Sequence, residues 1–438
     1  MENERNFYKE IFPYDEIPKV TFSSVGYERN LPDDIWVTDT TFRDGQQSMA
    51  SFTVEQVTTL FDYLHKIDNN SGVIRQTEFF LYSKRDREAV RACQERGYRF
   101  PEITSWIRAT KNDFQLVKEM NIPETGILMS CSDYHVYTKL GWDREKALKN
   151  YAAILSDALD AGIRPRCHLE DLTRADVYGF VLPLVKHLNK LGQEAGVKVK
   201  FRACDTLGLG VPYHRASLPR SVQALISILR NEAGLDAEQL EWHGHNDYYG
   251  AVPNATTAWL YGCAGISSTL LGIGERTGNT ALDGMLIEYM QIKGDKELRL
   301  DLLAEVADYF KNELDYAISV KHPFIGADFN ATKAGIHADG ILKDEEIYNS
   351  FDTEKILGRP IVIQVNEFSG AAGVAAWING YYRLTGEEKL NKRSEGVTLI
   401  KDEIANQYDD GRESAFSTEE LVLLTEKHLP QVTAKFKS

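Results

Sequence analysis

The sequence predicts an α/β fold: a (β/α)8 TIM barrel over residues 31–295, followed by C-terminal, mainly helical subdomains. Three observations carry this. Eight short apolar runs alternate with longer amphipathic stretches, the order expected of strand–helix units around a parallel sheet. Several runs separate polar from apolar residues by parity, as strands do. No Gly-rich phosphate loop follows the first run, which disfavours the rival open doubly wound sheet.

Residues 1–30 carry mixed charge and aromatics without clear periodicity and are expected to form an N-terminal arm. The expected strands are DIWVTDT (34–40), GVIRQTEFFL (72–81), PEITSWI (101–107), TGILMSCS (125–132), IRPRCHLED (163–171), VKVKFRACDT (197–206), LEWHGHND (240–247) and AGISSTLLGIG (264–274). Between them lie helix-like segments such as TVEQVTTLFDYLHKI, WDREKALKNYAAILSDALDAG and RADVYGFVLPLVKHLNKLGQEAG; the last two end on Gly, as helix C-termini often do. After the barrel a helical segment, LRLDLLAEVADYFKNELDYAI, leads into a glycine-rich polar stretch, and 296–366 is expected to be a linker or lid subdomain. Residues 367–438 return to helical periodicity as a small final subdomain.

With 438 residues, 43% of them hydrophobic, the chain can bury a large core. A net charge of -15 argues against general binding to nucleic acid or anionic membranes. The charged N-terminus has no apolar signal core, and no run reaches the roughly 18 apolar residues of a membrane span. Cys93, Cys131, Cys167, Cys204 and Cys263 are scattered without a CxxC pair, which fits reduced thiols and a cytoplasmic location.

Parity places charge inside the barrel. On the fifth run Arg164, Arg166, His168 and Glu170 share one side, on the sixth Lys200, Arg202, Cys204 and Thr206, and on the seventh Glu241, His243 and His245. Barrel interiors are mostly branched apolar residues, so such charge lowers stability unless function requires it. Active sites lie at the C-terminal ends of barrel strands, where His243 and His245 meet the rim that DTTFRDGQQS supplies with Arg43, Asp44 and Gln47. Two imidazoles and one carboxylate suit a catalytic divalent ion. The rival reading of RDG is an ordinary turn capped by Asp44.

DTTFRDGQQS, HGHND, GERTGN (274–279) and GIHADG (335–340) together resemble the metal-dependent acyl-CoA condensing family of 2-isopropylmalate, homocitrate and Re-face citrate synthases, within the DRE-TIM metallolyases. The resemblance runs over nearly all the chain after residue 30 and implies a barrel with C-terminal subdomains. It implies metal ligation by Asp44, His243 and His245, with Asn279 nearby. The metal expected is Mn2+, with Co2+, Mg2+ and Zn2+ as alternatives. It implies that Arg43 polarises the keto oxygen, that Thr206 contacts the keto-acid carboxylate, and that Glu78 belongs to an acid–base set. His337 matches the catalytic histidine and Tyr348 its tyrosine; in the family this segment reaches a partner's barrel, so a homodimer with both residues acting in trans is expected.

The expected reaction joins the enolate of acetyl-CoA to a 2-oxo acid, with Glu78 and His337 both candidates for proton acceptor. Arg166 matches the homocitrate synthase arginine that holds a distal carboxylate, its alternative being an interior ion pair with Glu170 or Asp171. His135 and Arg108 are further candidates for that pocket. The substrate is then a dicarboxylic 2-oxo acid: oxaloacetate, giving citrate, or 2-oxoglutarate, giving homocitrate. Tyr248 and Tyr249, after HND, are expected to narrow the site and favour oxaloacetate, and the whole texture stands nearest the Re-face citrate synthases. LLGIGERTGNTAL lacks the loop cysteine of hydroxymethylglutaryl-CoA lyases, and too little chain follows the barrel for a leucine-pathway regulatory domain. A catalytically silent binding barrel would break the metal ligands or the tail histidine, and a metal-dependent aldolase would need no GIHADG tail; neither departure is present.

Overall fold

Strand register closes the sheet on itself. The structure is a computed structural model that describes residues 15–16, 28–294 and 297–436; the expected arm lies outside the described residues except at 15–16 and 28–30. Strand β1 (Trp36–Asp39) pairs in parallel with β2 (Ile74–Phe79). Pairing continues through β3 (Glu102–Ile107), β4 (Glu124–Ser130), β5 (Arg164–Glu170), β6 (Lys200–Asp205) and β7 (Leu240–Gly244) to β8 (Gly265–Ser268), which returns to β1. One α-helix follows each strand: α1 (Val54–Asp68), α2 (Lys84–Gln94), α3 (Asp113–Glu119), α4 (Arg144–Asp160), α5 (Leu182–Glu194), α6 (Val222–Asn231), α7 (Ala251–Leu260) and α8 (Leu282–Lys293).

Helix α1 shows why these segments fold locally. Thr53 and Gln56 form a capping box, and Val57, Leu60, Phe61, Leu64 and Ile67 form the buried stripe. Asn69 then ends the helix in the left-handed conformation. The eighth apolar run yields a shorter strand than expected, because Leu271 and Gly272 take positive φ and turn the chain after Ser268.

The barrel interior is ionic. Gln76, Glu78, Glu124, Arg166, His168, Arg202 and Glu241 are all buried. Arg202 makes two bonds of 3.1 Å to Glu241 and one of 2.8 Å to Glu78. Arg166 bonds to Glu78 and, at 3.1 Å, to Glu124, which also holds Lys200 at 2.9 Å. Arg164, expected on the inward side, instead lies at the start of β5 with its side chain 51% exposed and paired with Glu102. All five cysteines are buried and free.

The chain divides into two compact units, the barrel unit ending at Arg299 and a second beginning at Leu300. The second unit contains α9 (Leu303–Glu313), β9 (Ala331–Thr332), α10 (Gly335–Lys343), α11 (Thr353–Leu357), β10 (Val362–Ile363), α12 (Gly370–Tyr381), α13 (Glu395–Asp409), α14 (Thr418–His428) and α15 (Pro430–Phe436). Strands β9 and β10 pair in parallel. Its core joins Val374, Trp377 and Ile378 of α12 to Ile400 of α13 and Leu421 and Leu424 of α14, and Leu342 and Ile363 pack against it. No helix among the described residues is long and apolar enough to cross a membrane.

Candidate active site

The site begins with a tight turn at the end of β1. The backbone N–H groups of Arg43, Asp44 and Gly45 converge on the carbonyl of Thr40, at 3.1, 2.9 and 3.1 Å. Beneath the turn, the Asp39 carboxylate accepts bonds from Thr41 and Thr77. Burial pushes its carboxyl up to about 6 against those bonds. Thus Arg43 and Asp44 leave the strand in fixed directions, 7% and 8% exposed.

Two strands from β1, beyond β8, β7 delivers His243, and His245 follows it on the same side. Their Nε2 atoms face each other at 3.3 Å, and Oδ2 of Asp44 lies 3.4 Å from the first and 3.7 Å from the second. The point equidistant from these three atoms in their plane lies about 2.0 Å from each, the usual length of a metal bond to imidazole nitrogen or carboxylate oxygen. His243 Nδ1 meets the Ser267 hydroxyl at 3.0 Å, which orients its ring as outer partners of metal-bound histidines do. Oδ2 of Asp44, Nδ1 of His245 and both polar atoms of the Asn279 side chain are buried without a hydrogen bond among the described residues. A buried, unsatisfied donor set of this kind fits a divalent cation.

The charge states agree. Burial alone would raise the Asp44 carboxyl, but the Arg43 guanidinium foremost outweighs it and holds it well below the usual carboxylate range. Asn279 contributes in the same direction. Burial pushes both imidazoles down, towards the neutral form that binds metal. Asn279 is placed by the turn after β8: its N–H bonds to the Gly272 carbonyl at 3.0 Å. The preceding Gly278 has φ +92°, and a Cβ there would stand 2.2 Å from that carbonyl oxygen, so only glycine fits.

Arg43 links this cluster to the ionic interior. Its Nη1 donates to Asp44 at 2.6 Å and its Nε to Glu78 at 2.8 Å. Glu78 thus receives Arg43, Arg166 and Arg202 together. Burial would raise its carboxyl, yet the arginines, Arg202 foremost, bring it well below the ordinary value. Arg166 is fully buried and both terminal nitrogens are bonded, to Glu78, Glu124, Gln76 and Thr104. Neither Glu170 nor Asp171 is its partner, and contact with a substrate carboxylate would require exchange of an existing bond.

A second group gathers at the ends of β5 and β6. His135, on a π-helical turn (Tyr134–Lys139), lies 3.0 Å from Glu170 and 3.7 Å from Asp171. The Thr206 hydroxyl accepts the Asp171 N–H at 2.9 Å. Burial works to raise Glu170, but His135, Ser130 and Lys139 lower it to about 2. Arg108 is 63% exposed and paired with Asp113, and Gln47 is exposed. Tyr248 and Tyr249 are 65% and 92% exposed, so the expected narrowing of the interior is not present. The chain leaves β7 at Gly244 and turns, with Tyr249 N–H on the Asn246 carbonyl and φ +58° at Tyr249, so strand parity does not extend to these residues. His337, on α10, and Tyr348 belong to the second unit, their rings 4.4 Å apart.

Sequence reasoning gave no role to Trp106 or His168. Trp106, at the end of β3, lies under the Arg43 guanidinium at 5.8 Å. The His168 ring occupies space opposite Gly126, where a Cβ would stand 2.5 Å from its Nε2. The inward parity of His168 and the glycine in TGILM were the available signals.

Residues 34–309 match the family model described as HMGL-like. A citrate (Re)-synthase of Clostridium kluyveri is 57% identical over 99% of this chain and 96% of its own length. A second citrate (Re)-synthase, from Syntrophus aciditrophicus, is 50% identical over 98% of this chain and 68% of its own. Among solved structures, hydroxymethylglutaryl-CoA lyase from Pseudomonas aeruginosa aligns with a TM-score of 0.52 at 19% identity, over 66% of this chain and 95% of that one. At that identity the likeness speaks for the fold alone.

Proposed function

This chain belongs to the HMGL-like family, and on that premise we propose that it catalyses the citrate (Re)-synthase reaction, condensing acetyl-CoA with oxaloacetate to give citrate and CoA. The observation that carries the reading is the convergence of Asp44, His243 and His245 beside Arg43. Likeness to two citrate (Re)-synthases over nearly all of this chain supports oxaloacetate and the face attacked.

Asp44, His243 and His245, with Asn279 beside them, would hold a divalent ion, and such an ion supplies positive charge that polarises a 2-oxo acid. The N/O donor set supports Mn2+, with Co2+, Mg2+ and Zn2+ as alternatives. The linked interior pairs balance Arg43, Arg166, Lys200 and Arg202 against Asp44, Glu78, Glu124 and Glu241, four charges of each sign. A balanced interior leaves the charge of a divalent cation to be met by a dianionic acid, which favours a dicarboxylate. Neither N–H of Arg43 Nη2 bonds to a described residue, so this group is available to a keto oxygen as it gains charge during attack. Glu170, His135 and Thr206 line the carboxylate side, with Arg166 beneath them and Gln47 and Arg108 at the rim.

The proton acceptor for the acetyl methyl group is His337. Glu78, the other candidate, is held as a carboxylate by three arginines and is a feeble base; it positions Arg43 instead. Tyr348, against the His337 ring, orients that imidazole. Ile336 is 75%, Ile347 51% and Phe368 69% exposed around this pair, an apolar surface that supports its docking on the barrel of a second chain in a homodimer. Hydrolysis of the citryl thioester then releases CoA. A cytoplasmic location agrees with the free cysteines.

The test is thiol release from acetyl-CoA by EDTA-treated protein with and without Mn2+, using oxaloacetate, 2-oxoglutarate, 2-oxoisovalerate and pyruvate in parallel. Metal-dependent release with oxaloacetate is the expected outcome. The second reading, homocitrate synthesis, differs by one methylene, worth only ~1–3 kcal/mol. The exposed tyrosines leave that reading open, and preference for 2-oxoglutarate would establish it.

A further inference from the structure

Cations around the barrel mouth are already committed: Arg108 to Asp113, Lys139 to Glu170, Arg174 to Asp171 and Arg276 to Asp247. The second unit holds positive charge of another kind. A surface basin of about 460 Å³ is lined by Lys343, Lys389, Lys392 and Arg393, with Asp339 the one acidic residue among its walls. Asp339 accepts from Lys343 at 2.9 Å and from Lys392 at 2.7 Å. The side chains of Lys389 and Arg393 have no carboxylate partner among the described residues. In a chain of net charge -15, four cations against one carboxylate is a concentrated exception.

The basin is built before any ligand arrives. Asn379 of α12 pins the 389–393 loop by two bonds of 2.8 Å, one to the Leu390 carbonyl and one from its N–H. The Arg393 N–H bonds to Asn391 at 2.8 Å, which fixes the loop's second half. Lys343 closes the other wall from the last turn of α10, the helix that carries His337. His337 lies six positions earlier, about 9 Å along the helix axis and about 120° round it from Lys343, so the path from basin to imidazole runs around the helix. The extended pantetheine arm of CoA reaches on the order of 15 Å, by ordinary bond lengths.

We propose that this basin binds the phosphate groups at the nucleotide end of acetyl-CoA, so that one unit supplies both the anchor for the co-substrate and the base for its methyl group. The assignment rests on acetyl-CoA being the acyl donor. Lysine and arginine side chains suit phosphate oxygens by charge-assisted hydrogen bonds, and the unpaired pair gains most from them.

The experiment compares the full chain with Lys389→Glu/Arg393→Glu, using acetyl-CoA and S-acetylpantetheine, which lacks the phosphates. Expected is a rise in KM for acetyl-CoA of about tenfold to hundredfold, the loss of one or two charge-assisted bonds, with a much smaller rise for S-acetylpantetheine. Lys389→Arg/Arg393→Lys should restore the wild-type KM, and Lys186→Glu/Lys190→Glu on α5 serves as a charge-matched control. Equal rises for both donors, or none for acetyl-CoA, overturn the proposal. Calorimetry with 3′,5′-ADP reads the basin without turnover: tighter binding than inorganic phosphate, lost in the double variant, is expected, whereas equal affinity of wild type and variant refutes it. If wild type forms no citrate, the proposed reaction fails while this calorimetric result still decides the basin.

Discussion

Glu78→Gln separates two jobs that a buried carboxylate can hold, base or clamp. Glu78 has no exposed surface and receives Arg43 and Arg202 at 2.8 Å, with Arg166 on its other oxygen. Glutamine keeps the shape but removes the charge, leaving the interior with one uncompensated cation. Removing one partner of a buried pair costs about 3–5 kcal/mol, and for a unit of this size that lowers Tm by about 5–9 °C. Thermal and urea melts of wild type and variant at pH 7 measure it.

The pH dependence has a definite sign. The folded carboxyl lies well below 4.5, its ordinary value. Its contribution is therefore complete above pH 4.5 and is lost as the pH falls towards the folded value. The gap between wild type and Glu78→Gln should be constant from pH 7 to 5 and close below 4.5. Turnover of the variant falls as well, because Arg43 loses its anchor. An unchanged Tm with abolished turnover would refute this reasoning, since it would show a carboxylate acting as base rather than as clamp.

Metal removal gives a second measurement. Asp44→Ala should weaken Mn2+ binding by more than the roughly 10–100-fold expected for Ser267→Ala, which removes only the orienting partner of His243; elemental analysis after dialysis and metal titration read both. The proposed homodimer gives a third. Asp44→Ala and His337→Ala chains, each inactive, are dissociated, mixed and reassociated. If His337 serves the partner's barrel, half of the pairs are mixed and each holds one intact site, so activity returns to about a quarter of wild type; no recovery would place both residues in one chain's own site.

The barrel was legible because strand parity and helix periodicity are local signals. Alternation in RPRCHLE was enough to turn Arg166 and His168 inward. His243 and His245 were legible for the same reason, lying at or next to a strand end whose direction the alternation fixes, whereas Asp44, in the turn five residues beyond β1, was legible through the DTTFRDGQQS motif. Parity fails where the strand stops. Tyr248 and Tyr249 follow HND in sequence, but the turn after Gly244 sends them to solvent. The partners of Arg166 were not legible either. Glu78 lies on β2 and Glu124 on β4, and their meeting depends on stagger across the closed sheet, which no single strand encodes.

The ionic interior also explains a division of labour. Apolar packing would stabilise the barrel more, since buried pairs seldom recover their desolvation. What the ion pairs add is direction: Arg43 is held from one side by Asp44 and from the other by Glu78, which Arg166 and Arg202 hold in turn. A guanidinium fixed this way can meet a developing oxyanion without reorganising, and that is where electrostatic stabilisation is largest. The same clamp removes Glu78 from proton transfer, so the base has to come from elsewhere. We propose His337, whose ring meets Tyr348 among exposed apolar residues of the second unit, for that task. On this reasoning the barrel needs the tail for chemistry, and a chain ending at Arg299 should bind Mn2+ and oxaloacetate yet release no thiol.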